Sequence, residues 1–205
     1  MAEQQVFARE TALTWAPSIL SDRAANIEKS PMGRSSNHYL SDQYMPTSPP
    51  ASVNGSYRVL LQKEQLVFSA AHFITFAGDI CERLHGHNYG VRAEVTGPLD
   101  SNQYVIDFIA FRDALAAIVK QLDHHMLLPT QHPRILVEQN GEEITTRFDE
   151  KRWIFPAEDC ILLPIVNTTA EQIAWWMANQ LRTALKPQIG DSLETLEVAI
   201  DENHG

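Results

Sequence analysis

Cys81, Glu82, His85 and His87 bring a thiol, a carboxylate and two imidazoles into one short stretch of chain. In an extended segment, residues two apart leave the same face, so His85 and His87 converge. The phase continues through Tyr89, Val91, Ala93 and Val95, while Arg92 and Glu94 fall on the other face; the imidazoles are therefore expected on the side that apolar residues bury. A buried histidine is ordinarily a hydrogen-bonded core residue. A third one changes the reading: Leu66-Val67-Phe68-Ser69-Ala70-Ala71-His72 is a strand-like run of small and apolar residues that ends in an imidazole. Three neutral nitrogen donors suit Zn²⁺, and a fourth position left open to water or substrate makes a catalytic centre rather than a closed structural one.

The elements that must hold these residues follow from periodicity. Strands are expected from Tyr57 through His72, then a loop containing Gly78-Asp79, then a strand from about His87 to Thr96 ended by Gly97-Pro98-Leu99-Asp100. Phe108, Phe111, Leu115, Ile118 and Leu122 repeat at helical spacing, with Asp107 placed to cap the start, so Asp123-His124-His125 falls at the helix end. There His124 could simply favour the helix dipole, or Asp123 could orient it as a proton relay. Between residues 129 and 166, Ile135 to Gln139 and Ile144 to Phe148 read as a hairpin with a type I′ turn at Asn140-Gly141. Arg152 to Phe155 and Cys160 to Leu163 add two candidate strands, and Cys160 reads as core.

A second helix is expected from Thr168-Thr169-Ala170-Glu171, with Ile173, Met177 and Leu181 inward and an end at Lys186-Pro187. Thr168 and Glu171 have the spacing of a capping box, which would occupy the glutamate without any ligand. In the closing strand Leu196, Val198 and Ile200 share a face, and Glu202 continues in their phase, so an inward carboxylate is expected to want a partner. The order of elements gives an α+β fold, an antiparallel sheet with two helices on one face and a β-rich insertion between the helices. Residues 1 to 55 are polar and turn-rich; they read as a disordered tail, with Phe7 through Ile19 as a candidate short helix, ahead of a domain over 56–205.

The chain has 205 residues, 44% of them hydrophobic, enough for one substantial core. A net charge of -10 argues against nucleic acid and anionic membrane surfaces as partners. Two cysteines make no disulfide framework, and the start of the chain has no signal-like pattern, so a cytoplasmic location is expected.

Phe68-Ser69-Ala70-Ala71-His72, then Cys81-x-x-x-His85-Gly86-His87-Asn88-Tyr89, then Leu122-Asp123-His124 resemble the signature of the 6-pyruvoyltetrahydropterin synthase and 6-carboxytetrahydropterin synthase family, over roughly residues 57 to 203. The four-residue step from Cys81 to His85 is similar to the bacterial carboxy type. The resemblance implies a tunnelling fold in which subunits join their sheets, commonly into a hexamer, with sites shared between subunits. It implies Zn²⁺ on His72, His85 and His87, and Cys81, Asp123 and His124 as catalytic residues. Thr169, Glu171 and Glu202 are implied to hold the pterin. It further implies a lyase converting 7,8-dihydroneopterin triphosphate to 6-carboxy-5,6,7,8-tetrahydropterin, with loss of triphosphate and acetaldehyde, toward queuosine and other deazapurines. The family has one more strand after the terminal glutamate, which this sequence lacks. Glu82, three residues before His85, resembles instead a subgroup with Glu-x-x-His-Gly-His that makes 6-hydroxymethyl-7,8-dihydropterin for folate. Pyruvoyl-type chemistry, and a zinc-binding or pterin-binding module without turnover, stay open as alternatives.

Overall fold

Alternation along two long strands builds the frame. The computed structural model describes residues 5–11, 55–78 and 80–202. In chain order the elements are β1 (Gln5–Thr11), β2 (Tyr57–His72), β3 (Thr75–Phe76), β4 (Ile80–Cys81), β5 (His85–Gly97), α1 (Phe108–Leu122), β6 (His125–Pro129), β7 (Leu136–Asn140), β8 (Glu143–Phe148), β9 (Lys151–Pro156), β10 (Cys160–Leu163), α2 (Ala170–Ile189) and β11 (Thr195–Asp201). The fold is α+β. The main sheet has the order β1-β11-β5-β2-β6-β10, and β7-β8-β9 form a separate small sheet.

The main sheet is mixed, where the sequence suggested an antiparallel one. β1, β11, β5 and β2 pair antiparallel, but β6 runs parallel to β2 and β10 parallel to β6. The register explains this: the chain leaves α1 beside the end of β2, with His125 opposite Ala70 and Met126 opposite Ala71, and travels on in the direction of β2. Cys160 to Leu163 therefore extend the main sheet instead of adding to the hairpin. Residues 5–11, read as the beginning of a tail and in part as helix, are a strand that takes the edge beside β11. The remainder of the candidate helix and tail, residues 12–54, lies outside the described residues, as does Asp79.

Two apolar clusters follow from the two faces of this sheet. Phe68, Tyr89, Val91 and Val198 pack with Phe111 and Leu115 of α1 and with Ile173, Met177 and Leu181 of α2. Full burial of such side chains contributes about 1.5–3 kcal/mol each, which is what fastens both helices to one face. Phe108, expected inward, is 39% exposed, because the buried stripe of α1 starts one turn later at Phe111. Asp107 caps α1 as expected, accepting from the N–H groups of Ile109 at 2.8 Å and Ala110 at 3.2 Å. The opposite face is covered at the β6 and β10 side by the small sheet: Met126, Leu128 and Cys160 pack with Phe73, Cys81, Ile144 and Phe148.

The turn between β7 and β8 sits one residue later than expected. Asn140 pairs with Glu143, so Gly141 and Glu142 form the loop, and only Gly141 has positive φ, at 64°. That is the pattern of a type II′ turn, which places glycine first. α2 also runs on past Pro187 to Ile189 and stops at Gly190, whose φ of 53° a residue with a side chain rarely adopts. No helix among the described residues is long and apolar enough to cross a membrane.

Candidate metal centre and its surroundings

His72 ends β2 and lies directly opposite His85, the first residue of β5, while His87 faces Ala70 across the ladder. Directly opposed residues share a face, and the small Ala70 side chain leaves room for the His87 ring. The three rings have centroids 4.7, 5.3 and 4.8 Å apart. Their ligand nitrogens all lie within 4.8 Å of one another, so they could hold a metal ion.

Backbone carbonyls fix which nitrogen each ring presents. His72 Nδ1–H donates to the Thr168 carbonyl at 2.7 Å, and His85 Nδ1–H donates to the Arg83 carbonyl at 2.8 Å. Because a carbonyl only accepts, both rings keep the tautomer whose Nε2 carries the lone pair, the atom that can ligate a metal. Burial pushes His72 down to about 4, against the opposing pull of the Thr168 carbonyl and with help from the His85 and His87 charges. It is neutral, as a metal ligand must be. Tyr89, two residues beyond His87 on the same face, places its hydroxyl 3.3 Å from His72 Nε2. Burial, then the Glu202 and Glu82 carboxylates, push the Tyr89 phenol up, so it stays a donor. Its phase in the sequence was the signal for this position. The carbonyls of Thr168 and Arg83 left no signal, since any residue supplies a carbonyl.

Carboxylates gather around the rings. Glu82 Oε2 is 3.9 Å from His85 Nδ1, and Glu82 and Glu171 both raise Glu202, whose largest influence is burial; His87 and His85 pull Glu202 down. Glu202 is half-buried, just past the end of β11. The capping box expected around Glu171 does not form. Thr169 is the cap, accepting from the Gln172 N–H at 3.5 Å, while the Thr168 hydroxyl donates to the Phe73 carbonyl at 3.0 Å. Shifting the cap by one residue moves the third position of the box from Glu171 to Gln172, and Glu171 is left exposed in the first turn.

Two expected participants stand elsewhere. Cys81, expected as a thiolate near the cation, is buried in the apolar cluster under the small sheet together with Met126 and Phe148. Burial pushes its thiol up, the Lys151 charge opposes this, and Asp149 and Glu82 add to it. The Asp123–His124 couple is formed, with Asp123 Oδ1 at 3.0 Å from His124 Nδ1 and accepting from the Ser69 N–H at 2.9 Å. The Ser69 N–H holds Asp123 below the usual carboxylate range, opposed by burial and helped by the His124 contacts. The His124 side chain is 81% exposed, and among the described residues no hydrogen bond or ring contact joins the couple to the three histidines. His125 turns back to donate to the Asp123 carbonyl at 2.7 Å. A cavity of about 390 Å³ opens at the β2 bulge between Gln62 and Val67, lined by Lys63, Glu64, Arg92 and Asp201 among others, away from the histidines.

The fold and the site define a class: an α+β sheet protein with three imidazoles converging at a strand end and a carboxylate, Glu82, beside one of them. Residues 61–205 match the 6-pyruvoyl tetrahydropterin synthase profile, and the chain belongs to that family. A putative 6-carboxy-5,6,7,8-tetrahydropterin synthase of Methanocaldococcus jannaschii is 34% identical over 141 residues, spanning 68% of this chain and 86% of that protein. The 6-pyruvoyltetrahydropterin synthase of Plasmodium vivax, solved as a variant in which a catalytic glutamate is replaced by alanine, superposes with a TM-score of 0.68 at 30% identity, covering 73% of this chain and 93% of that one. The Plasmodium falciparum protein of the same name gives 0.67 at 31% identity, over 73% and 93%.

Proposed function

We propose that the chain is a zinc-dependent lyase acting on the side chain of 7,8-dihydroneopterin triphosphate, with 6-carboxy-5,6,7,8-tetrahydropterin as product and triphosphate and acetaldehyde lost. The convergence of His72, His85 and His87, with two Nδ1 atoms already committed to carbonyls, carries this reading. Three nitrogen donors fit Zn²⁺, which when bound supplies Lewis acidity toward the side-chain hydroxyls. The names of the curated relatives favour the carboxy product.

The chain's own residues then have separate tasks. Glu202, half-buried and feeling the charges of His87 and Glu171, is suited to accept from the adjacent N–H and amino groups of a pterin, and Glu171 and Thr169 are assigned to the same ligand. A carboxylate or thiolate beside the rings removes a proton from the carbon bearing a hydroxyl. Glu82, partly exposed and 3.9 Å from the His85 Nδ1 that also bonds the Arg83 carbonyl, is the more accessible base of the two, since the Cys81 thiol is buried and raised. That observation favours a second reading, in which Glu82 drives cleavage to 6-hydroxymethyl-7,8-dihydropterin, alongside or in place of the carboxy reaction.

Asp123 holds His124 ready to move a second proton, but presents it to solvent. An assembly in which His124 of one subunit meets the histidines of another accounts for both facts. Mixing a His87→Ala chain with a His124→Ala chain is the test. Restored turnover is expected if sites are shared; two inactive variants that stay inactive after subunit exchange would place His124 in its own chain's site or outside catalysis.

A further inference from the structure

The segment that carries Cys81 and Glu82 is held from several directions. β4 pairs Cys81 with Thr75, and the Glu82 N–H donates to the Ile74 carbonyl at 2.9 Å. The small sheet supplies the remaining grip. Lys151 Nζ donates to the Cys81 carbonyl at 2.8 Å, while the Cys81 side chain packs into the cluster that contains Phe148. Phe148 and Lys151 are opposed across the β8–β9 turn, so one turn holds both ends of the same residue. The turn is itself braced: Asp149, at a φ of 49°, receives Arg134 Nη2 at 2.7 Å, and the Arg134 guanidinium lies 4.6 Å above the Phe148 ring.

Consecutive residues of an extended segment project to opposite sides. Fixing Cys81 toward the small sheet therefore turns Glu82 the other way, and Glu82 is the one found near His85. We propose that Lys151 is a positioning residue which, through the Cys81 carbonyl, keeps the thiol stowed and Glu82 turned out beside His85, and so sets which of two bases meets the pterin side chain. Among the described residues no hydrogen bond, ion pair or ring contact joins the 129–166 segment to the three histidines, and the Lys151 bond is a route by which that segment reaches the bases. The inference rests on the proposed dihydropterin chemistry and deepens it.

The test uses the full-length, zinc-loaded protein with Lys151→Met, which keeps the stem and removes the donor, and Lys151→Arg, which restores one. Alkylation of Cys81 by iodoacetamide is followed by peptide mass spectrometry, with Cys160 in the same cluster as internal control, and the carboxy and hydroxymethyl products are quantified together. Loss of one charged hydrogen bond is expected to speed Cys81 alkylation about tenfold in the methionine variant, and to shift the product ratio toward the carboxy product by a similar factor, with arginine returning both. Removing the lysine charge alone makes the thiol less acidic and slows alkylation, so a faster rate reports release and a slower one overturns the proposal. Cys81 and Cys160 rising together would mean that the small sheet has come loose, which also overturns it. Wild-type protein that makes neither product would sink the proposed function instead; wild-type turnover with an unchanged ratio in the methionine variant would sink only the role of Lys151.

Discussion

Leu127 and Leu128 are neighbours on β6, both fully buried, yet they belong to different cores. Leu127 faces the helices, on the side where Ala70, His72 and His87 lie. Leu128 faces the small sheet, on the side that takes Cys81, Met126 and Cys160. The helix side places imidazoles at the edge of its core and orients them through backbone carbonyls; the other side encloses a thiol and raises it. One strand register thus sorts two groups that look interchangeable in the sequence, since both Cys81 and Glu82 lie a few residues before His85. Proximity along the chain does not decide which group reaches a metal centre; strand phase does.

The comparison can be broken most strongly at the bases. Glu82→Gln is expected to lower the hydroxymethyl product by about 100- to 10,000-fold, the usual worth of a positioned general base, and Cys81→Ala to act on the carboxy product alone. Product analysis of both variants checks this, and a Cys81 variant with undiminished carboxy product would remove the thiol from the chemistry. The two cores can be set against each other next. Leu127→Ala and Leu128→Ala should each cost about 2–5 kcal/mol in urea unfolding. If Leu128→Ala costs under about 1 kcal/mol, the small sheet is not packed as a core.

How much of this was legible follows from where the information sits. The three histidines, the cap at Asp107 and the inward stripe of Ile173, Met177 and Leu181 are local patterns, and they are where the sequence places them. The parallel course of β6 and β10 is a property of register between distant segments, which no local period encodes. The spacing places the cap of α2 at Thr168, but the cap is Thr169, with Thr168 drawn instead to the Phe73 carbonyl, a contact across the fold. Nothing local marks Lys151 either, because its bond to the Cys81 carbonyl joins residues far apart in the chain.

Smaller effects sharpen the account. In metal-free protein, His72 stays neutral down to about 4, whereas the unfolded chain takes up its proton near the ordinary 6.5. The unfolded state then binds more protons between those values, so stability should fall as pH drops through that window and be insensitive to this group above it. Urea titrations at several pH values, with His72→Gln as the variant in which this part of the slope disappears, measure the effect. Asp107→Ala should cost about 1 kcal/mol, since it leaves two N–H groups at the start of α1 without their acceptor. Glu202→Gln should weaken pterin binding with metal content unchanged; equal affinity would reduce the glutamate to a frayed strand end.

The central claim is that the three imidazoles hold a catalytic zinc ion. Its most direct test is metal content measured with turnover of 7,8-dihydroneopterin triphosphate, in the wild type and in His85→Ala and His87→Ala. The account predicts bound zinc and turnover in the wild type, and joint loss of both in each variant while the fold remains intact by circular dichroism. A histidine variant that keeps full zinc and full turnover would contradict it.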